Sequence, residues 1–551
     1  MPVINFSYGD LCSLLGEEVP ASTLMERMPL IGADMHETEG GTDEMSVEFF
    51  PDRPDLYCVE GLARAMRAFL DIEPGMAEYE TEDTDIEAYV DASVADVRPV
   101  FLCAAVFGVE ITDALLRSLM ELQEKLHITI GRKRSKLAIG IHDLDRVVPP
   151  FTYRAADPRS VRFVPLGKEE EWDLDEILEK HEKGREYAHL LEGRDRYPLL
   201  EDSQGSVLSF PPVINGALTA VTTETRNLLV DVTGLDRKAV KGALDIVVTA
   251  LAERGGSIGT VHMKGASEFD SPDLSPESRS FSLSECERFL GIELGPEGAA
   301  EALRRMGLDA LAEGDAVHVE IPSTRLDIMH TVDLYEDVAA GYGFDRFGGG
   351  YSLDQTVVRT LPSVSFSDSV RDIMIGLGFT EIVTLTLSNE REEFGISGLP
   401  ETDPVRLLNP ITEDHTCLRA YLMPSLMRIL RRNKHRDLPQ RIFEVGTVVR
   451  DGRRSERLCI MSTASKVPFT EMKSVTEAVM RELAPEHSVE TCDYPVFVPG
   501  RGAHLSVDGR YVGIFGEVSP KVVTDFDINH PVSVAEIELD GFIAGSGGRL
   551  L

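Results

Sequence analysis

The segment VHVEIPSTRLDIMHTVDLYEDVAAGYGFDRF, residues 317 to 347, contains a strand pattern, a proline break and a helix pattern in direct succession. Apolar and polar residues alternate before Pro322, as they do in a half-buried strand. The residues after about Val332 favour a helix, and the proline cannot continue the preceding strand. The segment therefore predicts a strand and a helix that are separated by a rigid break.

The residues upstream extend this pattern into a compact domain. Residues 281 to 310 predict two short helices, with Ser282 or Ser284 as the cap of the first and Pro296 at the start of the second. Two helices followed by a strand and a third helix predict a small winged-helix-like domain over residues 270 to 347.

Four carboxylates gather in the same segment. Asp333, Glu336 and Asp337 have the spacing i, i+3 and i+4, which places them on one face of the predicted helix, and Asp327 lies just upstream. Carboxylate oxygens are the ligands that Mg²⁺ prefers, so the four residues are a candidate metal site. An acidic first helical turn, favoured by the helix dipole, has the same spacing, and spacing alone leaves both interpretations open.

The chain before this domain predicts two further α+β domains. Residues 1 to 85 form the first, with a helix that we expect to begin near Asp55 and to bury the apolar positions between Val59 and Leu70. Residues 78 to 96 are strongly acidic and predict a solvated linker. Residues 97 to 268 form the second domain, in which strand and helix patterns alternate. Its clearest elements are strands at 136–144 and 227–235 and a helix at 238–254.

Residues 360 to 551 predict an antiparallel sheet with flanking helices. A helix pattern covers 363–377, and FTEIVTLTLS at 379–388 alternates like a strand. The dipeptide Asp508-Gly509 separates two apolar runs, which is a strong hairpin signal. The fold class is therefore multidomain α+β.

Composition excludes several classes of protein. The 551 residues include 55 Lys plus Arg against 94 Asp plus Glu, a net charge of −39, and 42% of the residues are hydrophobic. This is a globular composition, and the negative charge argues against a chain that coats nucleic acid non-specifically. The seven cysteines are scattered without a C-x-x-C pair, as in proteins of a reducing compartment. With no signal peptide and no apolar span recognisable, we expect a cytoplasmic protein.

A second group of polar residues lies in LEDSQGSVLSFPPVINGALTAVTTETRNLLVDVTG, residues 200 to 234. Such groups, set between apolar strands around Pro211-Pro212, could line a pocket that recognises a small polar ligand. They are Ser209, Asn215, Asp231 and Thr233. The same residue types are common in turns and caps, and that interpretation stays open. No nucleophile stands beside a base here, so any hydrolysis would use a positioned water.

Two basic runs stand out in this acidic chain. One is GRKRSK at 131–136, and the other spans 428–441. Each could contact phosphate or an acidic partner, or could be an ordinary solvated helix face. No Walker-type or dinucleotide-binding glycine motif is present, so we assign no nucleotide or cofactor-binding residue to this chain.

Taken in order, these segments resemble the β subunits of phenylalanine-tRNA ligases, in their archaeal and eukaryotic form. The resemblance covers essentially the whole chain. It is carried by FFPDRPDLYCVEGLARA at 49–65, LHITIGRKRSKLAIGIHDLD at 126–145, YPLLEDSQGSVLSFPPVIN at 197–215, IPSTRLDIMHTVDLYEDVAAGYGFD at 321–345, and LLNPITEDHTCLRAYLMPSLM with RIFEVGTVV.

The resemblance implies an α2β2 heterotetramer whose α subunit binds ATP and phenylalanine and attaches the amino acid to tRNA(Phe). Residues 360–551 then look like a class II synthetase domain without its active-site motifs. RIFEVGTVV is similar to the strand that carries a catalytic Arg in active enzymes, with Arg441 and Glu444 near it, and PGRGA at 499–503 is a remnant of the third motif. This chain would supply no catalytic residue for aminoacylation. With the bacterial tRNA-binding additions missing, tRNA contact would rely on the basic runs and on the α subunit.

The resemblance also implies a role for the four carboxylates and for the four polar residues between 200 and 234. The family pattern D-x5-D-x2-E-[ED] maps onto Asp327, Asp333, Glu336 and Asp337 and implies Mg²⁺. The central domain resembles the editing domain that hydrolyses tyrosine wrongly attached to tRNA(Phe), because a pocket shaped for phenylalanine rejects one extra hydroxyl only weakly. Ser209, Asn215, Asp231 and Thr233 are the candidates for that site. Two alternatives are a free-standing editing hydrolase and a non-catalytic scaffold subunit whose editing site has decayed.

Overall fold

The computed structural model describes residues 2–36, 43–349 and 357–546. The chain divides into two compact units, residues 1–350 and 351–551. Both units combine helices with mainly antiparallel sheets, which confirms the predicted multidomain α+β class.

The described strands of the first unit form five sheets. The seven-stranded sheet has the order Ile214–Asn215, Val207–Phe210, Tyr197–Glu201, Phe151–Ala156, Glu87–Val90, Val261–Lys264 and Phe269–Ser271, and the five-stranded sheet has the order Thr81–Glu82, Ser257–Gly259, Val100–Phe107, Leu228–Gly234 and Leu137–Asp143. Two three-stranded sheets have the orders Val3–Ser7, Glu44–Phe49, Ala33–His36 and Glu277–Ser282, Ala316–Ile321, Asp309–Glu313. A two-stranded sheet pairs Arg162–Phe163 with Trp172–Asp173. The α-helices are Tyr8–Leu15, Ala21–Arg27, Val59–Phe69, Asp113–Ile128, Leu174–Lys180, Glu182–Tyr187, Arg237–Ala252, Leu283–Leu290, Gly295–Arg305 and Thr331–Tyr342.

The strand Leu228–Gly234 organises the centre of the first unit. It pairs antiparallel with Val100–Phe107 on one side and with Leu137–Asp143 on the other. All seven of its residues are buried, because the helix Arg237–Ala252 packs against the sheet and a second core covers the opposite face. The strands predicted at 136–144 and 227–235 are confirmed.

Two expectations for the N-terminal region are wrong. The helix begins at Val59, not near Asp55, whose carboxylate is taken by a bidentate ion pair with Arg53 at 2.8 and 2.9 Å. The acidic segment 78–96 is not a free linker, because Glu87–Val90 occupies the middle of the seven-stranded sheet. Net charge signals solvent exposure of side chains, but it does not prevent a backbone from completing a sheet.

The helices and the strand predicted around the acidic helix are present, but the strands Glu277–Ser282 and Asp309–Glu313, which complete a three-stranded sheet, were not predicted. Ser282 accepts a hydrogen bond from the Glu285 amide and caps the helix Leu283–Leu290, and Pro296 lies in the first turn of Gly295–Arg305. The helix Thr331–Tyr342 follows the strand Ala316–Ile321. These confirmed elements bring the acidic residues to one side of the helix start.

The second unit is built on a seven-stranded sheet. In sheet order its strands are Thr380–Glu381, Gln440–Arg450, Arg453–Thr463, Val532–Glu538, Arg510–Val518, Phe497–Val507 and Ser488–Thr491, and a two-stranded piece joins Leu387–Ser388 to Cys417–Leu418. Its α-helices are Pro362–Gly376, Met423–Arg432, Phe469–Leu483, Pro520–Asp525 and Asp540–Ser546.

The hairpin and the first helix of this unit are confirmed. Asp508 and Gly509 both have positive φ, 51° and 73°, as a two-residue type I′ turn requires. The strand predicted at 379–388 is wrong as a continuous element, since only its two ends, Thr380–Glu381 and Leu387–Ser388, are paired. In the described part of the chain, no helix is long and apolar enough to cross a membrane.

The second unit contains a buried carboxylate that accepts hydrogen bonds from the backbone. Glu393, in the helical turn Arg391–Gly395, is fully buried and accepts hydrogen bonds from the Ala420 and Tyr421 amides at 3.0 and 3.1 Å. Burial raises its pKa to about 7 despite these amides, which act in the opposite direction.

We expect this carboxylate to make the second unit less stable as pH rises. Between pH 4.5 and 7 the folded chain keeps a proton that the unfolded chain has lost, so the free energy of unfolding falls across that window by about 3 kcal/mol at most. Glu393→Gln imitates the protonated form and should raise the melting temperature at pH 8 but not at pH 4.5 in calorimetry. The exposed Glu401→Gln is the control. Equal pH dependence in wild type and Glu393→Gln would contradict the assignment.

Candidate functional site

The four polar residues singled out between 200 and 234 line one cavity. Ser209, Asn215, Asp231 and Thr233 surround a space of about 20 Å³ beside the Pro211-Pro212 turn. Paired strands bring them together, since Ser209 lies opposite Asn215 and Asp231 lies two residues before Thr233 on a buried strand. The cavity has room for about one water molecule. A larger ligand would require its walls to move.

Asp231 is held by a residue that the sequence did not reveal. Its carboxylate Oδ2 lies 2.8 Å from Nε2 of His142, and Nδ1 of His142 lies 2.8 Å from Oγ1 of Thr219. All three side chains are at least 98% buried. A buried carboxylate needs partners of this kind, and here they fix its direction. The only sequence signal was a polar His within the apolar run KLAIGIHDL.

Gly140 makes room for this carboxylate. It lies directly opposite Asp231 in the sheet, and a Cβ atom at this position would lie 1.9 Å from Asp231 Oδ2. A glycine is therefore required at this position of the buried strand, because it leaves room for a side chain of the next strand to lie over it.

Thr233 and Ser209 differ in how their hydroxyls are satisfied. Nε of the buried Arg98 donates to Thr233 Oγ1 at 3.0 Å, and its Nη2 donates to the Thr233 carbonyl at 2.9 Å. Burial lowers the pKa of Arg98 to about 10. Ser209 Oγ is buried and has no hydrogen-bond partner among the described residues. Ser209 thus presents an unused polar group to the cavity.

Part of the basic run 131–136 turns toward this cavity. Arg134 lines it and donates from Nη1 to the Pro212 and Val213 carbonyls at 3.2 and 3.0 Å. Its guanidinium also lies 4.5 Å from the centre of the Tyr187 ring. Arg134 therefore fixes the proline turn, while the neighbouring Arg132 and Lys133 are exposed.

The four carboxylates of the acidic helix line a different cavity, of about 650 Å³. The buried Arg325 lies among them and forms ion pairs with Asp327 at 2.7 Å and with Asp337 at 2.8 Å. Burial opposes ionisation of Asp327, but the charge of Arg325 outweighs it and lowers the pKa to about 2. Burial dominates at Asp337 and raises its pKa to about 6.

The chemistry of this donor set fits Mg²⁺, but the arrangement seen here does not. Oδ2 of Asp333 accepts hydrogen bonds from the Met329 and His330 amides at 2.7 and 2.6 Å, and Glu336 is exposed. Among the described residues, no three His, Cys, Asp or Glu side chains are grouped so that they could hold a metal ion. Arg325 is the cation that two of these carboxylates contact.

The segment RIFEVGTVV lies in the strand Gln440–Arg450, and two of its charged side chains contact other residues of the second unit. Glu444 is 1% exposed and accepts hydrogen bonds from Arg419 at 2.8 Å and from the Thr384 hydroxyl at 2.6 Å. Arg441 is exposed and pairs with Glu471 at 2.7 Å. Glu444 is thus part of a buried internal network, whereas Arg441 belongs to a surface ion pair.

Most bases of the run 428–441 are paired as well. Arg428 and Arg431 contact Glu392 at 3.0 and 3.6 Å, and Lys434 contacts Asp527 at 2.6 Å. Arg432 and Arg436 are exposed. Most bases of this run therefore belong to ion pairs at the surface, and Arg432 and Arg436 remain as exposed positive charges.

Three family models match the chain. They are the B3/4 domain over residues 114–247, the tRNA synthetase B5 domain over 279–344, and the phenylalanyl tRNA synthetase beta chain CLM domain over 353–539. The cavity with Asp231 lies inside the first match, and the four carboxylates lie inside the second.

Individual relatives match over nearly the full length. The phenylalanine–tRNA ligase beta subunit of Methanothrix thermoacetophila is 46% identical over 541 residues, which cover 98% of this chain and 100% of the relative. That of Methanococcoides burtonii is 42% identical, with 98% and 100% covered. A crystal structure of an N-terminal fragment of the phenylalanyl-tRNA synthetase beta subunit from Pyrococcus horikoshii is 39% identical, with a TM-score of 0.60, and covers 62% of this chain and 100% of the fragment.

A multidomain α+β chain with these domain matches is a subunit of an aminoacyl-tRNA synthetase. Its high identity to full-length relatives narrows the assignment further. The chain belongs to the family of phenylalanine–tRNA ligase β subunits and is therefore part of a ligase, as the sequence resemblance predicted.

We expect Gly140→Ala to disturb the cavity because the new methyl group would collide with the Asp231 carboxylate. The variant should be destabilised by about 1–3 kcal/mol, the cost of overpacking a buried site. Urea unfolding followed by fluorescence of Trp172, the one tryptophan in the chain, reports on the first unit. In Gly298→Ala the new Cβ makes only an ordinary 3.7 Å contact, so it serves as the control. Equal unfolding midpoints for the two variants would contradict the steric argument.

Proposed function

We propose that this chain works in an α2β2 phenylalanine–tRNA ligase and that it hydrolyses tyrosine mistakenly attached to tRNA(Phe). The α subunit would bind ATP and phenylalanine and carry out aminoacylation in the cytoplasm. The observation that carries the editing proposal is the convergence of Ser209, Asn215, Asp231 and Thr233 on one buried cavity inside the B3/4 match.

The cavity offers the chemistry that editing requires. Ester hydrolysis needs a positioned water and donors that stabilise the developing oxyanion. Asp231, directed by His142, is the group that would orient a water or the tyrosine hydroxyl, and Ser209 Oγ is an unused donor. A site that binds the tyrosine hydroxyl through buried polar groups rejects phenylalanine, which leaves those groups unpaired.

An exposed apolar surface on the second unit supports an α partner. Val383 and Leu385 are 86% and 63% exposed, and Leu408 and Ile411 are 93% and 100% exposed. Backbone hydrogen bonds from Arg419 to Thr386, and from Leu407 to Thr416, join the strands beside these residues. A partner that covered these apolar side chains would remove them from water, and the occupant we propose is the α subunit.

The predicted domain boundaries are part of the same proposal. Residues 1–85, 97–268, 270–347 and 360–551 would act as an N-terminal domain, an editing domain, a winged-helix-like domain and a catalytic-like docking domain. The last assignment is supported by the internal pairing of Glu444 with Arg419. The exposed bases Arg432 and Arg436 would contribute to tRNA contact.

We also propose a Mg²⁺ ion at the cavity lined by Asp327, Asp333, Glu336 and Asp337. The support is that all four residues line one cavity and carry the oxygen ligands that Mg²⁺ prefers. Because Arg325 holds two of them, an ion would bind through water or after Arg325 releases a carboxylate.

The central test combines charging and editing. Phenylalanine charging should require this chain together with the α subunit from the same organism. Asp231→Asn should lower hydrolysis of Tyr-tRNA(Phe) by roughly 100-fold, the usual contribution of a positioned base, without changing charging. The exposed Asp195→Asn is the matched control.

The outcomes separate the parts of the proposal. Charging by the α subunit alone would refute the subunit role, whereas unchanged hydrolysis in Asp231→Asn would favour a scaffold with a decayed editing site. Leu408→Asp should prevent co-purification with the α subunit, while Leu311→Asp, 61% exposed in the first unit, should not.

The metal proposal has its own test. Mg²⁺ should bind the full chain in calorimetry and raise its melting temperature, and Glu336→Gln should weaken binding at least tenfold because it removes one charged oxygen donor. The exposed Glu313→Gln should have no effect. Identical titrations for wild type and Glu336→Gln would show that Arg325 is the cation of this cluster.

A further inference from the structure

A cavity of about 210 Å³ lies on one face of the large sheet of the second unit. Its lining includes two arginines, three tyrosines and one glutamate. They are Arg450, Arg457, Tyr421, Tyr494, Tyr511 and Glu536. Neither the editing proposal nor the exposed apolar surface uses this cavity.

Polar groups around the cavity lack partners. Nε and Nη2 of Arg450, Nε of Arg457 and Oγ1 of Thr402 are buried and have no hydrogen-bond partner among the described residues. Arg457 is 6% exposed. Buried donors without acceptors are costly and uncommon in native structures, so a cluster of them around one space points to a ligand that supplies acceptors.

The charges favour one negative group on that ligand. Arg457 is already paired with Glu536 at 3.4 Å and with Glu538 at 3.3 Å, so the positive charge that is left over is that of Arg450. The carboxylate of Glu536 is already engaged, since its Oε2 accepts from the Leu422 and Met423 amides at 3.1 and 3.0 Å. Arg450 makes no ion pair within the described chain, and its guanidinium lies over the Tyr421 ring, 4.2 Å from the ring centre. The planar guanidinium presents parallel N–H donors, whose spacing matches the two oxygens of a carboxylate.

Aromatic walls favour a ring on the same ligand. His504 packs edge-on against both Tyr494 and Tyr511, with ring centres 5.1 and 5.3 Å apart, and so fixes the two tyrosines. Tyr511 is 43% exposed and marks the opening of the cavity. A cavity of about 150 Å³ can bind benzene. The volume found here therefore suits one ring with a short polar head.

We infer that this cavity binds a small monoanionic ligand with a single aromatic ring and a carboxylate, held by Arg450 and Arg457 and packed against Tyr494 and Tyr511. Binding at this place needs no tRNA and no contribution from the editing residues. The cavity is thus a separate small-molecule site on the second unit.

The test is calorimetric titration of the full chain with phenylacetate. We expect saturable binding at one site, at least tenfold weaker in Arg450→Gln and at least fivefold weaker in Tyr494→Leu. Cyclohexylacetate, which has the same head group without the aromatic ring, should bind at least fivefold more weakly than phenylacetate to the wild type. Arg453→Gln, an exposed arginine on the neighbouring strand, should bind phenylacetate like the wild type.

Melting curves confirm that each variant is folded, and Tyr494→Leu keeps the test valid if Arg450→Gln does not fold. No saturable binding, or equal binding in wild type and in the folded variants, would overturn the inference. Inorganic phosphate binding more tightly than phenylacetate would also overturn it, because the site would then be a simple anion site.

Discussion

The strand Leu228–Gly234 imposes the constraint on which the first unit depends. Because it is paired on both edges and covered on both faces, every polar group on it must find a partner inside the protein. The Asp231 carboxylate is hydrogen-bonded to His142 across the space above Gly140, and the Thr233 hydroxyl accepts a hydrogen bond from Arg98. These contacts hold the two polar side chains in place, and so the same strand can be both the core of the sheet and the wall of a polar cavity.

Buried charge is handled differently in the acidic cluster. Arg325 forms ion pairs with both Asp327 and Asp337 and joins the two carboxylates into one network. Removing one member of such a network is costly because it leaves an uncompensated charge. The pattern of carboxylates alone indicates negative charge at a helix start, but only the position of the arginine shows which cation is already present.

The sequence was sufficient for elements that local chemistry determines. The Asp508-Gly509 turn, the Ser282 cap and the apolar strand at 227–235 follow from rules that need no tertiary contact. It failed where the partner of a side chain or of a strand decides the structure, whether that partner is near or far in sequence. Asp55 could have capped a helix but pairs with Arg53, and the acidic segment 78–96 enters a sheet whose other strands lie far away in sequence. The four pocket residues were predictable as a polar group, whereas His142 and Gly140 gain their meaning only from strand register.

In the second unit, a single strand carries both satisfied and unsatisfied buried polar groups. On the strand Gln440–Arg450, Glu444 accepts hydrogen bonds from Arg419, which lies outside that strand, and from the Thr384 hydroxyl. A few residues along, Arg450 keeps buried donors with no acceptor in the described chain. Paired groups rigidify a fold, and unpaired groups of this kind persist only where something else compensates their cost. The contrast within one strand therefore distinguishes side chains that are satisfied within the described chain from side chains whose buried donors are left for another partner.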